Sequence, residues 1–185
     1  SKRPIVTGVI SKKSATLFAT LIGIVSLLIF WIFTTTLAAL LALIAIAFYV
    51  FVYTIALKRR TSQNIVWGGA AGCMPVLIGW AAVTNSLSLT ALAFFMVIFF
   101  WTPPHFWSLA IKYKDDYSAA GIPMLPVVAT KARVHKEMWF HTIMMIACSI
   151  WLIISAGLAM WSMVITVLLG LVFARELFAL KEGSE

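Results

Sequence analysis

An all-α, polytopic bundle of membrane-crossing helices is the architecture that this 185-residue composition favours. Three observations point there. Hydrophobic residues make up 63% of the chain and charged residues only 11%. A soluble domain averages about 45–50% and about 25%, so there is too little polar side chain here to cover the apolar bulk. The apolar residues fall into six segments, each near the ~20 residues that a helix needs to cross a hydrocarbon core. None of the six alternates polar and apolar with a period of two, which argues against a β-barrel. The same composition excludes a disordered chain. Two cysteines, Cys73 and Cys148, are too few for a disulfide scaffold.

The first segment, Ala15–Phe33, follows a basic stretch without the charged start, apolar core and small-residue cleavage site of a signal peptide. It ends at Thr34-Thr35-Thr36. The second, Leu37–Leu57, runs into Lys58-Arg59-Arg60. The third, Ile65–Val83, has Thr61 or Ser62 before it as an N-cap. Its Gly68, Gly72 and Gly79 predict a small-residue face that a neighbouring helix can approach closely, and Pro75 predicts a kink. The fourth, Leu89–Ile111, contains Trp101-Thr-Pro-Pro-His-Phe-Trp107. Pro103 and Pro104 remove two amide donors and clash with the carbonyls of Phe99 and Phe100, which predicts an interrupted helix. Unwound backbone at that depth is tolerated only when buried in protein or lining a cavity. Met138–Gly157 and Ser162–Leu180 are the last two segments, and no internal repeat is evident.

Fourteen Lys and Arg against six Asp and Glu give a net charge of +8, and the surplus is placed on one side. On that side lie Lys2, Arg3, Lys12 and Lys13, then Lys58–Arg60, then Lys112, Lys114, Lys131, Arg133 and Lys136, then Lys181. The intervening turns at Thr34–Thr36, Thr84–Ser88 and Gly157–Trp161 carry no charge. The positive-inside rule therefore puts the charged loops and both termini in the cytoplasm or its topological equivalent. Trp31, Trp80, Trp101, Trp139 and Trp161 near span ends suit the membrane–water interface. The segment 112–137 is the longest connection, and a long loop with charges of both signs is where function is sought first.

Acids are scarce: before Glu137 only Asp115 and Asp116 occur. Carboxylates at a membrane surface can hold Mg²⁺ together with a phosphate; they can equally be a solvated turn that neutralises Lys112 and Lys114. His105 lies seven residues before Lys112, so roughly 10 Å inside the membrane. An ionisable group at that depth is a functional candidate or a helix-packing hydrogen bond. Were the helix to continue, His105, Lys112 and Asp116 would fall within about 40° of one another. Asn64 stands at the charged entry of the third span. Lys58-Arg59-Arg60 is explained by topology alone. Cys73 and Cys148 have no metal-ligand spacing, and His135 and His141, six apart, do not share a face. Arg175 and Glu176 can pair or snorkel.

Trp101-Thr-Pro-Pro-His-Phe-Trp-Ser-Leu-Ala110, followed by Lys114-Asp-Asp-Tyr-Ser-Ala-Ala-Gly-Ile-Pro-Met-Leu-Pro-Val-Val128, closely resembles the protoheme IX farnesyltransferase (heme O synthase) family of UbiA-type intramembrane prenyltransferases. Arg3-Pro-Ile-Val-Thr-Gly8, Leu57-Lys-Arg-Arg-Thr61 and Asn64-Ile-Val-Trp-Gly-Gly-Ala-Ala-Gly72 agree in order. The resemblance implies one prenyltransferase domain over 1–185, part of a bundle of about nine helices that each obey the span length. It implies transfer of farnesyl from farnesyl diphosphate to a vinyl group of heme b, with Mg²⁺ assisting departure of the diphosphate. Asp116, with Asp115, matches the family's second Asp motif as metal and catalytic residues. His105 matches the Pro-His histidine, for heme handling. Arg3 matches the last arginine of an Arg-Thr-x-x-Arg-Pro stretch. Lys58, Arg59, Arg60, Lys112 and Lys114 become partners for diphosphate or heme propionates, and Asn64 and Tyr117 supporting residues.

The family's first Asn/Asp-rich motif, the two helices flanking it and a last helix have no counterpart in these 185 residues, so the chain is expected to be an internal piece, inactive or very weak by itself. The resemblance also implies a bacterial inner membrane, with the mitochondrial inner membrane as the alternative. Heme A synthase or an assembling oxidase would be partners, and nucleic acid would not. Two other functions fit the residues less fully. One is a prenyltransferase acting on a quinone precursor, and the other is a transporter with a proline-broken helix.

Overall fold

A computed structural model describes residues 4–182 of the chain, which leaves Arg3 outside the described residues. The elements are α1 (Lys12–Phe33), α2 (Thr36–Ala47), α3 (Asn64–Thr84), α4 (Leu89–Lys112), α5 (Lys114–Ala119), α6 (Leu125–Val128), α7 (Lys131–Ser155) and α8 (Met160–Glu182). A π-helical stretch, Phe48–Leu57, continues α2 without a break. No strand occurs among the described residues. Six helices are long and apolar enough to cross a membrane, one for each segment expected from the sequence, with α2 and the π-stretch forming a single span.

Hydroxyl side chains start four of the six long helices. Ser11, Thr35, Ser88 and Thr130 each accept a hydrogen bond from the backbone N–H three residues on, satisfying an amide that the helix itself leaves without a partner. The uncharged turns are also cross-tied. The Thr35 hydroxyl donates to the Ala81 carbonyl at 2.9 Å, and Thr90 donates to Ser155 at 2.9 Å. Asn85 ends α3 in the left-handed region (φ 50°), which Asn adopts more readily than most residues.

Each long helix packs chiefly against the spans before and after it, in the order α1, α2, α3, α4, α7, α8. Small residues mediate the contacts: Ala38 and Ala42 on α2, Gly69, Cys73 and Ala81 on α3, and Ala91 and Ala93 on α4 are buried. The close approach falls at two adjacent glycines rather than along Gly68–Gly72–Gly79. A Cβ at Gly68 would stand 2.8 Å from the Tyr53 ring, and one at Gly69 would stand 3.2 Å from Thr102. Gly72 and Gly79 have nothing within 4 Å. One glycine thus admits the π-stretch and the next admits α4.

Three further expectations are corrected. α4 runs unbroken through Pro103 and Pro104, where the sequence predicts an interruption. Pro103 and Pro104 are fully buried in a helix flanked by α3 and α7, and neighbouring helices with Ser/Thr hydroxyls are what sustain prolines in a span. Here the Thr102 hydroxyl donates to the Ile98 carbonyl at 2.7 Å. The third helix is not capped by Thr61 or Ser62. Gln63 precedes it, and the Thr61 hydroxyl accepts from the Gln63 N–H at 3.2 Å in a turn one residue earlier. The connection 112–137 is largely helical, because the Thr130 cap starts α7 at Lys131 and its charged first turns project beyond the apolar span.

The one clustered apolar core among the described residues lies at the charged end. Trp107 and Ala110 of α4, Met124 and Leu125 beside α6, Val134 and Met138 of α7, and Leu177 of α8 form it. Burying a side chain the size of Trp or Met stabilises by about 1.5–3 kcal/mol relative to exposure in water. This cluster is what fixes the α5–α6 segment onto the ends of three long helices.

Candidate active site

The charged end gathers most of the expected site residues around that core. Lys112 closes α4, Tyr113 breaks the helix at φ −107°, ψ 31°, and α5 restarts at Lys114. The break overturns the expected single stripe from His105 through Lys112 to Asp116, because α5 takes its own direction. Asp115 and Asp116 occupy the first turn of α5 and are exposed. A carboxylate is favoured at the positive end of a helix. As consecutive helical residues they point about 100° apart, so they reach outward as a fork. Tyr117, next on α5, is half-buried and packs on the core. Gly121 (φ 64°) then turns the chain toward Met124 and Leu125.

On the other side stands the basic turn after the π-stretch. Asn64 is 1% exposed, and its amide donates to the Lys58 carbonyl at 3.1 Å. Its Oδ1 is buried without a hydrogen-bond partner. Asn64 therefore holds the backbone of the turn that presents Lys58, Arg59 and Arg60. The Lys58 ammonium lies 6.0 Å from the centre of the Tyr53 ring, while Arg59 and Arg60 are exposed. The Lys112 ammonium sits 5.6 Å from the Tyr113 ring.

His105 is half-buried and stacks on Trp101, with ring centres 4.4 Å apart and planes 14° apart. It meets Phe106 edge-on at 5.2 Å. With Pro104, Ser108, Met138, Phe173 and Glu176 it lines a cavity of about 250 Å³ between α4, α7 and α8. His141, by contrast, is closed in by the Phe100, Trp107 and Phe140 rings and bonds the Glu137 carbonyl at 2.8 Å. The two histidines therefore have opposite surroundings, one facing space and the other packing.

Sequence reasoning missed three residues. Tyr53 gave no signal because the π-stretch that turns it toward Gly68 and Lys58 has no composition signature. Glu176 reads in the sequence only as a partner for Arg175, because its sharing a cavity with His105 depends on how α8 packs. The burial of His135 has no signature in its spacing from His141.

No group of three or more His, Cys, Asp or Glu that could cage a metal occurs among the described residues. Two exposed carboxylates could hold only an ion such as Mg²⁺ that keeps waters and shares substrate phosphates, because that ion seldom uses an all-protein shell. Asp115 and Asp116 fit that role.

Comparison with known proteins gives the site its context. The chain is 56% identical over 152 residues to protoheme IX farnesyltransferase 1 of Saccharopolyspora erythraea, covering 82% of this chain and 49% of that protein. It is 50% identical over 157 residues to the protoheme IX farnesyltransferase of Mycolicibacterium smegmatis (85% and 51%). To that of Clavibacter sepedonicus it is 52% identical over 159 residues (86% and 52%). The chain thus spans about half the length of the curated relatives it matches. No solved structure matches. The UbiA prenyltransferase family is matched over residues 1–185, and with that the chain belongs to this family of membrane prenyltransferases.

Proposed function

We propose that the protein carrying this chain farnesylates heme b to give heme O, and that residues 1–185 supply the half of the site built on Asp115, Asp116 and His105. The observation that carries the reading is the set of relatives named protoheme IX farnesyltransferase, about half identical to this chain over a stretch long enough to include both the Pro-His segment of α4 and the Asp-bearing α5. In the reaction the C1–O bond of farnesyl diphosphate breaks and the diphosphate leaves with the bonding pair. The farnesyl carbon then joins the terminal carbon of a heme vinyl group, and water adds at the other vinyl carbon and releases a proton.

Each residue has a physical task. Asp115 and Asp116 would hold Mg²⁺, which supplies charge neutralisation to the departing diphosphate when bound. Lys58, Arg59, Arg60 and Lys112 add fixed positive charge on the same rim, directed at diphosphate oxygens or heme propionates. Asn64 positions that basic turn through the Lys58 carbonyl. Tyr117 ties the Asp turn to the core. His105, with Trp101 stacked on it, offers a flat aromatic wall and a ring nitrogen to the porphyrin. Aromatic walls exclude water until the new carbon–carbon bond has formed. A bacterial inner membrane is the proposed location, where an enzyme that oxidises heme O or an assembling oxidase would take the product.

The test places residues 1–185 into a full-length relative in place of its matching half. The chimera should produce heme O from heme b and farnesyl diphosphate, detected by chromatography and mass. Asp116→Ala should lower the rate by about 10²–10³-fold, the size of losing one transition-state charge partner. A chimera that folds, binds heme b and farnesylates a quinone precursor instead would replace this reading. An Asp116→Ala rate equal to that of the parent would remove the Asp turn from the mechanism.

A further inference from the structure

The cavity beside His105 holds a second ionisable side chain to which the proposed reaction gives no task. Its lining combines His105 and Ser108 of α4 with Glu176 of α8, and Met138, Phe173 and Leu177 supply apolar wall. No Lys or Arg among the described residues lines it. His105 lies seven residues before Lys112 and Glu176 five residues before Lys181, so both stand roughly 7–10 Å inside the charged rim. A carboxylate at that depth is costly unless it faces a partner or water. Its neighbour Arg175 is not part of the lining, since consecutive helical residues point about 100° apart.

Water is the partner that the cavity suits. A volume of about 250 Å³ has room for several molecules, each taking about 30 Å³ in the liquid and needing polar partners. Glu176 accepts hydrogen bonds, and the His105 ring can donate or accept. Ser108 keeps a lone pair free while its hydroxyl donates to the His105 carbonyl at 2.7 Å. Water held by these groups is directed rather than free, so it is compatible with aromatic walls that exclude bulk solvent. The same lining orients a porphyrin. Glu176 repels an anionic propionate and no cation here would hold one, whereas Lys58–Arg60 and Lys112 at the rim would. A porphyrin against His105 then keeps its propionates at the rim and turns a vinyl group toward the cavity.

We propose that Glu176 accepts the proton released when water adds to the heme vinyl group, a step that rests on the function proposed above. Farnesyl transfer leaves the inner vinyl carbon electron-deficient. A lone pair of a cavity water forms the carbon–oxygen bond. One O–H bond breaks with its electron pair staying on oxygen, and the proton passes to the Glu176 carboxylate. Without that acceptor the cation instead loses a proton from the adjacent carbon to diphosphate or solvent and forms a double bond. The product is then a farnesylated heme one water lighter than heme O.

The test uses the full-length chimera, with heme b binding read by absorbance titration and products by chromatography and mass. Glu176→Gln should bind heme b as the parent does, make heme O about 10²-fold more slowly, and shift the products toward the dehydrated heme. Glu176→Asp should restore part of both the rate and the ratio. Arg175→Gln, outside the lining, should match the parent. A parent that makes heme O beside a Glu176→Gln variant of equal rate and product ratio would overturn this proposal alone. Slower turnover with weaker heme binding and an unchanged product ratio would make Glu176 a packing residue and overturn it as well. A parent chimera that farnesylates no heme would overturn the reading of the function and this step together.

Discussion

α1 is more apolar than α4, yet none of its residues is buried, whereas α4 buries Phe100, Thr102, Pro103, Pro104 and Trp107 along its second half. The same inversion runs through the bundle: α1 and the α2 span are the most apolar and least buried, and α3, α4 and α7 are less apolar and most buried. In water this would be backwards. Lipid tails are as apolar as leucine, so hydrophobicity gives a helix no reason to move inward. What moves inward is what packs closely or needs a partner: glycine beside Thr102, Asn64 against a carbonyl, and histidines among rings. The least hydrophobic helices therefore carry the site.

The contrast can be broken by experiment. Trp107→Ala empties a fully buried position in the core that anchors the α5–α6 segment, and should cost about 3–5 kcal/mol. Trp31→Ala on α1, where the side chain is 62% exposed, should stay within about 0.5 kcal/mol. Thermal unfolding in detergent reads both, and equal losses would break the division between centre and flank. Next in size, Gly68→Ala drives a methyl against the Tyr53 ring and should cost about 1–3 kcal/mol. Gly72→Ala, with open space around it, should instead gain up to about 1 kcal/mol from helix propensity. A similar loss at both glycines would mean that the whole small-residue face, rather than one position, sets the spacing. The smallest of the three contrasts belongs to Asn64→Ala. It removes the bond to the Lys58 carbonyl but also the unpaired Oδ1, for a net loss of about 1 kcal/mol or less. Its sharper readout is faster tryptic cutting at Lys58–Arg60, and unchanged cutting would show that the turn is held by something other than Asn64.

Much of this is legible in the amino-acid sequence. Span number, the uncharged turns and the charged end follow from run length and charge placement, because the bilayer sets both. Asp115, Asp116 and His105 stood out because ionisable groups are rare near such spans. Other features depend on packing that a sequence pattern does not encode. Two prolines predicted a broken helix, but the flanking helices and the Thr102 hydroxyl sustain it. A glycine repeat predicted a continuous face, but only Gly68 and Gly69 meet neighbours. The six-residue spacing of His135 and His141 shows only that they share no face, and it carries nothing of the Thr130 cap that starts α7 and buries both.

The strict neighbour order of the long helices also bears on how the molecule assembles. Each span meets its main partner as soon as the next one enters the bilayer, so loop-closure entropy is confined to short connections and no distant search is needed. The pairing of α4 with α7 is the exception, since it must wait until the segment bearing Asp115 and Asp116 has been made. The step that joins the two halves of the bundle is then the same step that seats the acidic turn, and a chain that fails to place that turn also fails to close its largest interface.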